Sequence, residues 1–343
     1  MHHQLGCIVV CLLSVISLTV RSGYTVEISV VTVGDITVGS SLTPIIDRND
    51  IEILFAGTVH LIKSADIAVT TLNTSISDRG EPQHGVTHPL RAVPSLARGI
   101  ANAGFTAVSL STPHIMDFGA EALEDTIVLL NWYQVKTAGA GLTPGTIYEP
   151  AWLNVKTTQI AFLAYAYGDQ FGSDCDNSVA RAVYSDIMQS VKSVARRAGL
   201  VVVSIHWGKA RHTQAVSKRQ RFFAHGLIDV GADLVLCQRL HTLQGIEIYK
   251  GKPVVYSLAD FIYETYDKQY SQVVIPKVTF ANRVLKSIEL TPIWVDNPDA
   301  KYQPQVLSGD DAQEALLHYQ QLCAELNTQV VIDGDLGLIE PTD

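Results

Sequence analysis

Charge is scarce in this chain. Asp, Glu, Lys and Arg make up 17% of its 343 residues, against 47% hydrophobic residues. That balance excludes a self-repelling disordered chain and supplies the apolar side chains for a sizeable core. Cysteine is scarcer still, five in all, with Cys7 and Cys11 inside one N-terminal apolar run. Cys175, Cys237 and Cys323 are scattered and form no Cys-x-x-Cys pair. No zinc finger or disulfide framework can be written from them, and one bridge formed after export is the most they offer. Basic residues are outnumbered, 25 Lys and Arg to 34 Asp and Glu, for a net charge of −9. That argues against a nucleic-acid partner. The one tight basic cluster, Lys218-Arg219-Gln220-Arg221, falls on an expected helix and reads as a solvated helix face. There is no Gly-x-Ser-x-Gly nucleophile elbow, and the glycine-containing segment 34–41 lacks the lysine of a P-loop.

What the chain does have begins at its N-terminus. Residues 5–20, "LGCIVVCLLSVISLTV", carry no charge. The run is slightly short for a membrane-spanning helix and fits the apolar region of a secretory signal, with Val20-Arg21-Ser22 as the cleavage region. The preceding residues are a poor signal start, with only His2 and His3, so a buried first element is the alternative. Neither Cys7 nor Cys11 follows a lipobox. Residues 1–22 are therefore expected to be a signal peptide or membrane anchor, placing the protein on the extracytoplasmic face. Residues 25–300 are expected to form one domain, and 301–343 a linker, helix and tail.

Within the domain, strand-like runs at 26–33, 66–70, 105–110, 158–165, 200–205 and 232–236 alternate with helical patterns at 93–103, 119–133, 179–198 and 217–230. From 244 onward the rhythm changes. Strands at 244–249, 253–258, 272–280 and 284–295 follow one another without helices, and a last helix spans 310–326. An α/β first part gives way to a β-rich second part. Several strands end in a polar residue suited to metal or acid–base chemistry: Asp35, His114, His206 and His241. Ligand sites in α/β sheets gather at the carboxyl ends of strands. One such histidine alone would read as a hydrogen-bonded structural residue; four strand ends together argue for a site. His84 and His88 lie in a Gly- and Pro-containing stretch and read as solvent-facing, and Trp207 reads as packing.

The segments "VTVGDITVGS", "ADIAVTTLNTSISDRG", "GFTAVSLSTPHIMDFG", "IAFLAYAYGD", "VVVSIHWGKA" and "GADLVLCQRLHTLQGIEIYKGKPVVYSLADF" resemble, in order and spacing, the CapA family of capsule and poly-γ-glutamate biosynthesis. That family belongs to the calcineurin-like metallophosphatase superfamily, and the resemblance covers about residues 26–296. It implies an α/β fold, a four-layer α/β/β/α sandwich with its site at strand ends. It makes Asp35, His206 and His241 metal ligands and His114 the acid or transition-state stabiliser. The match is uneven. Asn73 stands where the family has a bridging glutamate, so it offers an oxygen without charge. Pro113 replaces an amide ligand, and Ala210 replaces a glutamate. Cys237-Gln238-Arg239-Leu240-His241 stands for Gly-His-His-Pro-His, and Ala259-Asp260-Phe261 for Gly-Asn-Phe.

The consequences follow from coordination chemistry. Two adjacent divalent cations need a bridging carboxylate between them. Proline has no side-chain donor, and the guanidinium of Arg239 puts a fixed positive charge where a cation would sit. On the resemblance, one metal position keeps Asp35 and His241, and the other keeps His206. At most one divalent ion (Mn, Zn or Fe) is expected. Arg239 could then bind a carboxylate or phosphate directly. Three functions stay open: a CapA-like protein of anionic-polymer biosynthesis with a weakened metal centre, an active metal-dependent phosphoesterase, and a non-catalytic interaction protein. The partners implied are an anionic polymer or a small acidic substrate, with membrane polymer-synthesis proteins, and no nucleic acid.

Overall fold

The computed structural model describes residues 25–168, 178–207, 213–238, 241–263, 272–295 and 302–341. The expected signal or anchor segment and Arg239 lie outside these residues. The first half alternates as expected. Strands β1 (Glu27–Thr37), β2 (Ile67–Leu72), β3 (Ser75–Ile76), β4 (Arg91–Ala92), β5 (Ala107–Ser109) and β6 (Lys136–Ala138) are interleaved with helices α1 (Thr43–Asn49), α2 (Val59–Ile62), α3 (Ser95–Ala103) and α4 (Gly119–Trp132). The short α5 (Pro144–Ile147) leads into β7 (Ala151–Val155) and β8 (Thr158–Tyr167). Then come α6 (Tyr184–Ala195), β9 (Leu200–Trp207), α7 (Lys218–Asp229) and β10 (Leu234–Gln238). A run of strands follows: β11 (Leu243–Tyr249), β12 (Lys252–Leu258), β13 (Asp260–Tyr263), β14 (Gln272–Ala281), β15 (Val284–Trp294) and β16 (Gln305–Val306). Helix α8 (Gly309–Ala324) and the hairpin β17 (Val331–Asp333) and β18 (Leu336–Ile339) end the chain.

Among the described residues the strands form two large sheets. One runs β17-β18-β15-β14-β1-β2-β5-β6, with β13 also on β1 and β16 on β15. The other runs β11-β12-β10-β9-β8-β7. Strand β8 shows how the layers stack. Its sequence is almost continuously apolar, as a strand buried on both faces requires. Ile160, Phe162, Ala164 and Ala166 join the core shared with the first sheet. The alternate residues Ala161, Leu163 and Tyr165 join a second core with Ile187 and Val191 of α6 and Phe223 of α7. On the far side of the first sheet, Leu96 and Ile100 of α3 and Leu123 and Leu130 of α4 pack inward. The order helix, sheet, sheet, helix is the expected four-layer sandwich.

The cluster 218–221 behaves as a helix start. Ser217 and Gln220 form a capping box. Lys218 and Arg219 face solvent, while Gln220 is buried and donates to Gln244 Oε1 at 2.8 Å. At the end of the sandwich remote from the strand carboxyl ends, Asp233 is 1% exposed and clamps the two sheets. It accepts from Val201 N (2.9 Å), Lys252 Nζ (2.7 Å) and Arg283 Nη2 (2.9 Å). Two findings differ from the sequence reading. Residues 40–62, unassigned by pattern, hold α1, α2 and two 3-10 turns, because their apolar residues Leu42, Ile51, Leu54 and Phe55 follow no clean period yet all enter the core. The segment expected as linker, helix and tail also adds strands: β16 and β18 both pair with β15. Their short length hid them.

Strand β1 is the pivot of the first sheet. Its first half pairs with β14 and its last residues pair with β13, while β2 flanks the other edge. The β1–β2 register shifts between Thr32 and Asp35, and the β1–β13 register shifts between Asp35 and Ile36. Irregularities on both sides bend the strand and re-aim the residue between them. Gly34 makes the approach of β13 feasible: a Cβ there would stand 2.4 Å from the Ala259 carbonyl oxygen. Asp35 N donates to that same oxygen at 3.2 Å. Gly34→Ala is expected to lower stability by roughly 1–3 kcal/mol through overpacking, read as a lower urea midpoint with an unchanged m-value.

Candidate metal centre and its family

The strand ends bring the two sheets into contact. Asp35 comes from the bent end of β1 and His206 from the end of β9. The Asp35 Oδ2 to His206 Nε2 distance is 3.5 Å, and both side chains are 0% exposed. The sheets are stitched again beside this contact, where Gln238 Nε2 donates to Val33 O at 3.1 Å. Gln238 lies opposite His206 in the β9–β10 register, and Thr71 lies opposite Asp35 in the β1–β2 register. Asn73, just past β2, is tied to β1 by Asn73 N to Ile36 O (2.8 Å) and Asn73 Nδ2 to Thr37 Oγ1 (3.3 Å).

His241 stands beside Asp260. Its φ is +50°, and its Nδ1 sits 2.9 Å from Asp260 Oδ2. Asp260 is itself the Cα partner of Asp35 across β1 and β13. The preceding Ala259 has φ +57°, a conformation that favours glycine and strains a residue with a Cβ. The sequence resemblance groups Asp35 with His241. In the structure the Asp35 carboxylate meets His206, and His241 meets Asp260.

His114 follows β5. Pro113 opens a 3-10 turn, Pro113–Met116, where a missing N–H costs nothing. Thr112 Oγ1 donates to Leu72 O at 3.2 Å, holding the turn beside the end of β2. His114 Nδ1 lies 2.7 Å from Asp117 Oδ2, and the same oxygen accepts from Leu90 N at 2.8 Å. Asp117 is 3% exposed, and its carboxylate orients the imidazole through Nδ1. Sequence reasoning gave no role to three neighbours of the expected site residues: Asp117, Gln238 and Asp260. Asp117 is spaced one helical turn from His114, a local signal. Gln238 and Asp260 carry the weaker signal of a polar residue at the margin of an apolar run. His84 and His88 are exposed loop residues, as expected, and Trp207 packs edge-on with Tyr167 at 5.0 Å between ring centroids.

The described residues do not supply the ligand set of a dinuclear centre. Among the described residues no three His, Cys, Asp or Glu side chains converge as a metal-ligand group. Asn73 brings no charge and Pro113 no donor. One ion fits better: donor atoms each about 2.0–2.2 Å from a shared cation stand roughly 3–3.5 Å apart, and Asp35 Oδ2 and His206 Nε2 are 3.5 Å apart.

The family described as "Bacterial capsule synthesis protein PGA_cap" matches residues 29–265. The chain belongs to that family. It is 25% identical over 248 residues to the "Capsule biosynthesis protein CapA" of Bacillus anthracis, covering 69% of this chain and 60% of that one. It is 22% identical over 237 residues to the "PGA biosynthesis protein CapA" of Bacillus subtilis (strain 168), covering 68% and 62%. A probable polyglutamine synthesis accessory protein of Mycobacterium tuberculosis is 25% identical over 213 residues, covering 58% and 56%. The chain thus spans about three fifths of the length of these curated relatives. In this PGA_cap chain the residue standing for the first glycine of Gly-His-His-Pro-His is Cys237, which is fully buried, and burial pushes its thiol up to about 12. Cys323 of α8 is also fully buried and pushed up to about 12. The thiolate is the nucleophile, so a raised value keeps both groups inert at neutral pH. Iodoacetamide at pH 8 is expected to leave Cys237 and Cys323 unmodified in the folded protein and to alkylate both in urea, as mapped by peptide mass spectrometry.

Proposed function

We propose that this PGA_cap protein supports the biosynthesis of an anionic cell-surface polymer of the capsule or poly-γ-glutamate kind, with at most one metal ion at its strand ends in place of a dinuclear centre. The observation that carries this reading is the family match over residues 29–265 combined with a changed bridging position: Asn73 stands for the glutamate while Asp35 and His206 remain in contact. A bound ion would be held by Asp35 and His206 and would act as a Lewis acid on a phosphoryl or carbonyl oxygen. Arg239 is proposed to bind a carboxylate or phosphate of the polymer as a planar bidentate donor. Residues 1–22 are proposed to export or anchor the chain, which would bring it beside membrane polymer-synthesis proteins. Among the described residues no helix is long and apolar enough to cross a membrane.

The second reading is an active metal-dependent phosphoesterase, favoured by the His114–Asp117 pair, which is built as a general acid would be. Metal content separates the two. The triple variant Asn73→Glu, Pro113→Asn, Arg239→His is expected to raise bound metal from at most one ion per chain to two, measured by plasma mass spectrometry on the full chain. Two tightly bound ions in the unmodified protein would sink the proposal. Arg239→Ala is expected to weaken binding of the full chain to poly-γ-glutamate by about tenfold, the loss of a charge-assisted bidentate contact of roughly 1.4 kcal/mol. Equal binding by the two proteins would remove Arg239 from this role.

A further inference from the structure

The end of the sandwich opposite the Asp35–His206 contact is where β1, β2, β5, β6 and β9 begin. Its surface has two features that neither the fold nor the site accounts for. At the close of α4, Trp132 is 80% exposed, with Val128 one turn earlier at 58% and Tyr133 at 37%. An indole left in water forfeits the burial that a tryptophan side chain otherwise gains. Exposed bases stand at the same end. Lys63 precedes β2, Lys136 opens β6, and Arg196 and Arg197 follow α6 ahead of β9. Among the described residues these four form no ion pair. The acids Glu27, Asp66, Asp229 and Asp233 of this end are each answered by a different lysine. The exposed Glu325 and Glu340 follow α8 and β18, at the opposite edge of the sheets from β6. A chain of net charge −9 thus presents unneutralised positive charge here, beside an exposed indole.

We infer that this end of the molecule rests on a membrane surface that carries anionic phospholipid headgroups. Tryptophan and tyrosine are favoured at headgroup level, where the ring is buried and its polar edge stays wet. Lysine and arginine beside them are drawn to anionic lipid. The bases are spread across the ends of both sheets rather than gathered in a cleft, which suits a plane of charge better than a single anion. The chain direction agrees, because β1 starts at this end and the uncharged run 5–20 lies just before it in sequence. For its place beside a bilayer the inference rests on the proposed export or anchoring of residues 1–22, and it goes further by naming the face and the lipid. The consequence is an orientation. Asp35 is near the far end of β1, and at about 3.3 Å per residue it stands roughly 25 Å from the lipid-facing end. That exceeds the Debye length of about 8 Å at physiological salt, so lipid charge does not reach an anion at the site.

The test uses the full chain reconstituted into phosphatidylcholine vesicles, with and without phosphatidylglycerol, whose acyl chains are brominated near the headgroup. Bromine quenches a tryptophan that touches it. The tryptophans are at 132, 152, 207 and 294, and none lies in residues 1–22, so quenching does not report the anchor. Quenching is expected in phosphatidylglycerol vesicles and should be lost in Trp132→Phe. Lys63→Glu, Lys136→Glu and Arg196→Glu together should cut it at least about twofold. All the substituted side chains are exposed, and the unfolding midpoint checks that the variants fold; should the triple variant not fold, Lys136→Gln with Arg196→Gln serves. Flotation with neutral vesicles reads the anchoring separately. A chain left behind by neutral vesicles overturns the anchoring of residues 1–22, while phosphatidylglycerol vesicles still test this face. Equal quenching in Trp132→Phe, or quenching indifferent to both phosphatidylglycerol and charge reversal, overturns the inference. No quenching in any vesicle overturns it as well and assigns the patch to a protein partner.

Discussion

The site depends on how closely β1 approaches β9 and β10. Asp35 and His206 are both fully buried, and their side chains can meet only because two sheets converge there. A carboxylate removed from water is tolerated only with a polar or charged partner, so the contact cannot be loosened without exposing a large penalty. Three features enforce the approach. The register irregularities on both sides of Asp35 turn it, the missing Cβ of Gly34 admits the Ala259 carbonyl, and the Gln238 bond to Val33 ties the backbones. The Asp233 clamp holds the other end of the sandwich, so the two sheets are fixed at both ends.

Carboxylates have been rearranged rather than simply removed. Relative to the sequence resemblance, a negative charge is lost at Asn73 and one appears at Asp260. Both residues adjoin β1, one past the end of β2 and the other at the start of β13. The sheet therefore keeps its count of acids while their work changes. Asp260 meets the His241 ring, and Asn73 gives its amide to Thr37. Ala259 is held at φ +57°, a conformation that suits the glycine the resemblance has at this position. Such a residue stores strain of about 1–3 kcal/mol and persists only when its surroundings over-determine it.

Much of the fold was legible because it rests on local periodicity. Continuous apolar runs such as 200–205 and amphipathic stretches such as α6 announce their class directly. The helical segment 40–62 and the closing hairpin were not legible, because their residues are chosen by what they pack on rather than by a repeat. The site divides along the same line. Asp35 and His206 end long buried strands, which is visible in sequence. Asp260 matters because β13 lies against β1, a pairing across more than 200 residues that no window detects. Gln238 is meaningful only once its NH2 is seen bound and its oxygen left over. The identity of Arg239 was plain from the motif, but its action depends on surroundings that the motif does not supply.

One edge of the central strand has a consequence in time. Glu27 to Val31 pair with Ala281 to Lys277, so the residues made first wait for strands made some 250 residues later. Closure of so long a loop must precede any gain from that ladder, which makes folding slow and leaves an open strand edge meanwhile. The β1 edge cannot be completed until the chain through Ala281 is available. It also needs protection from edge-to-edge association over the same interval.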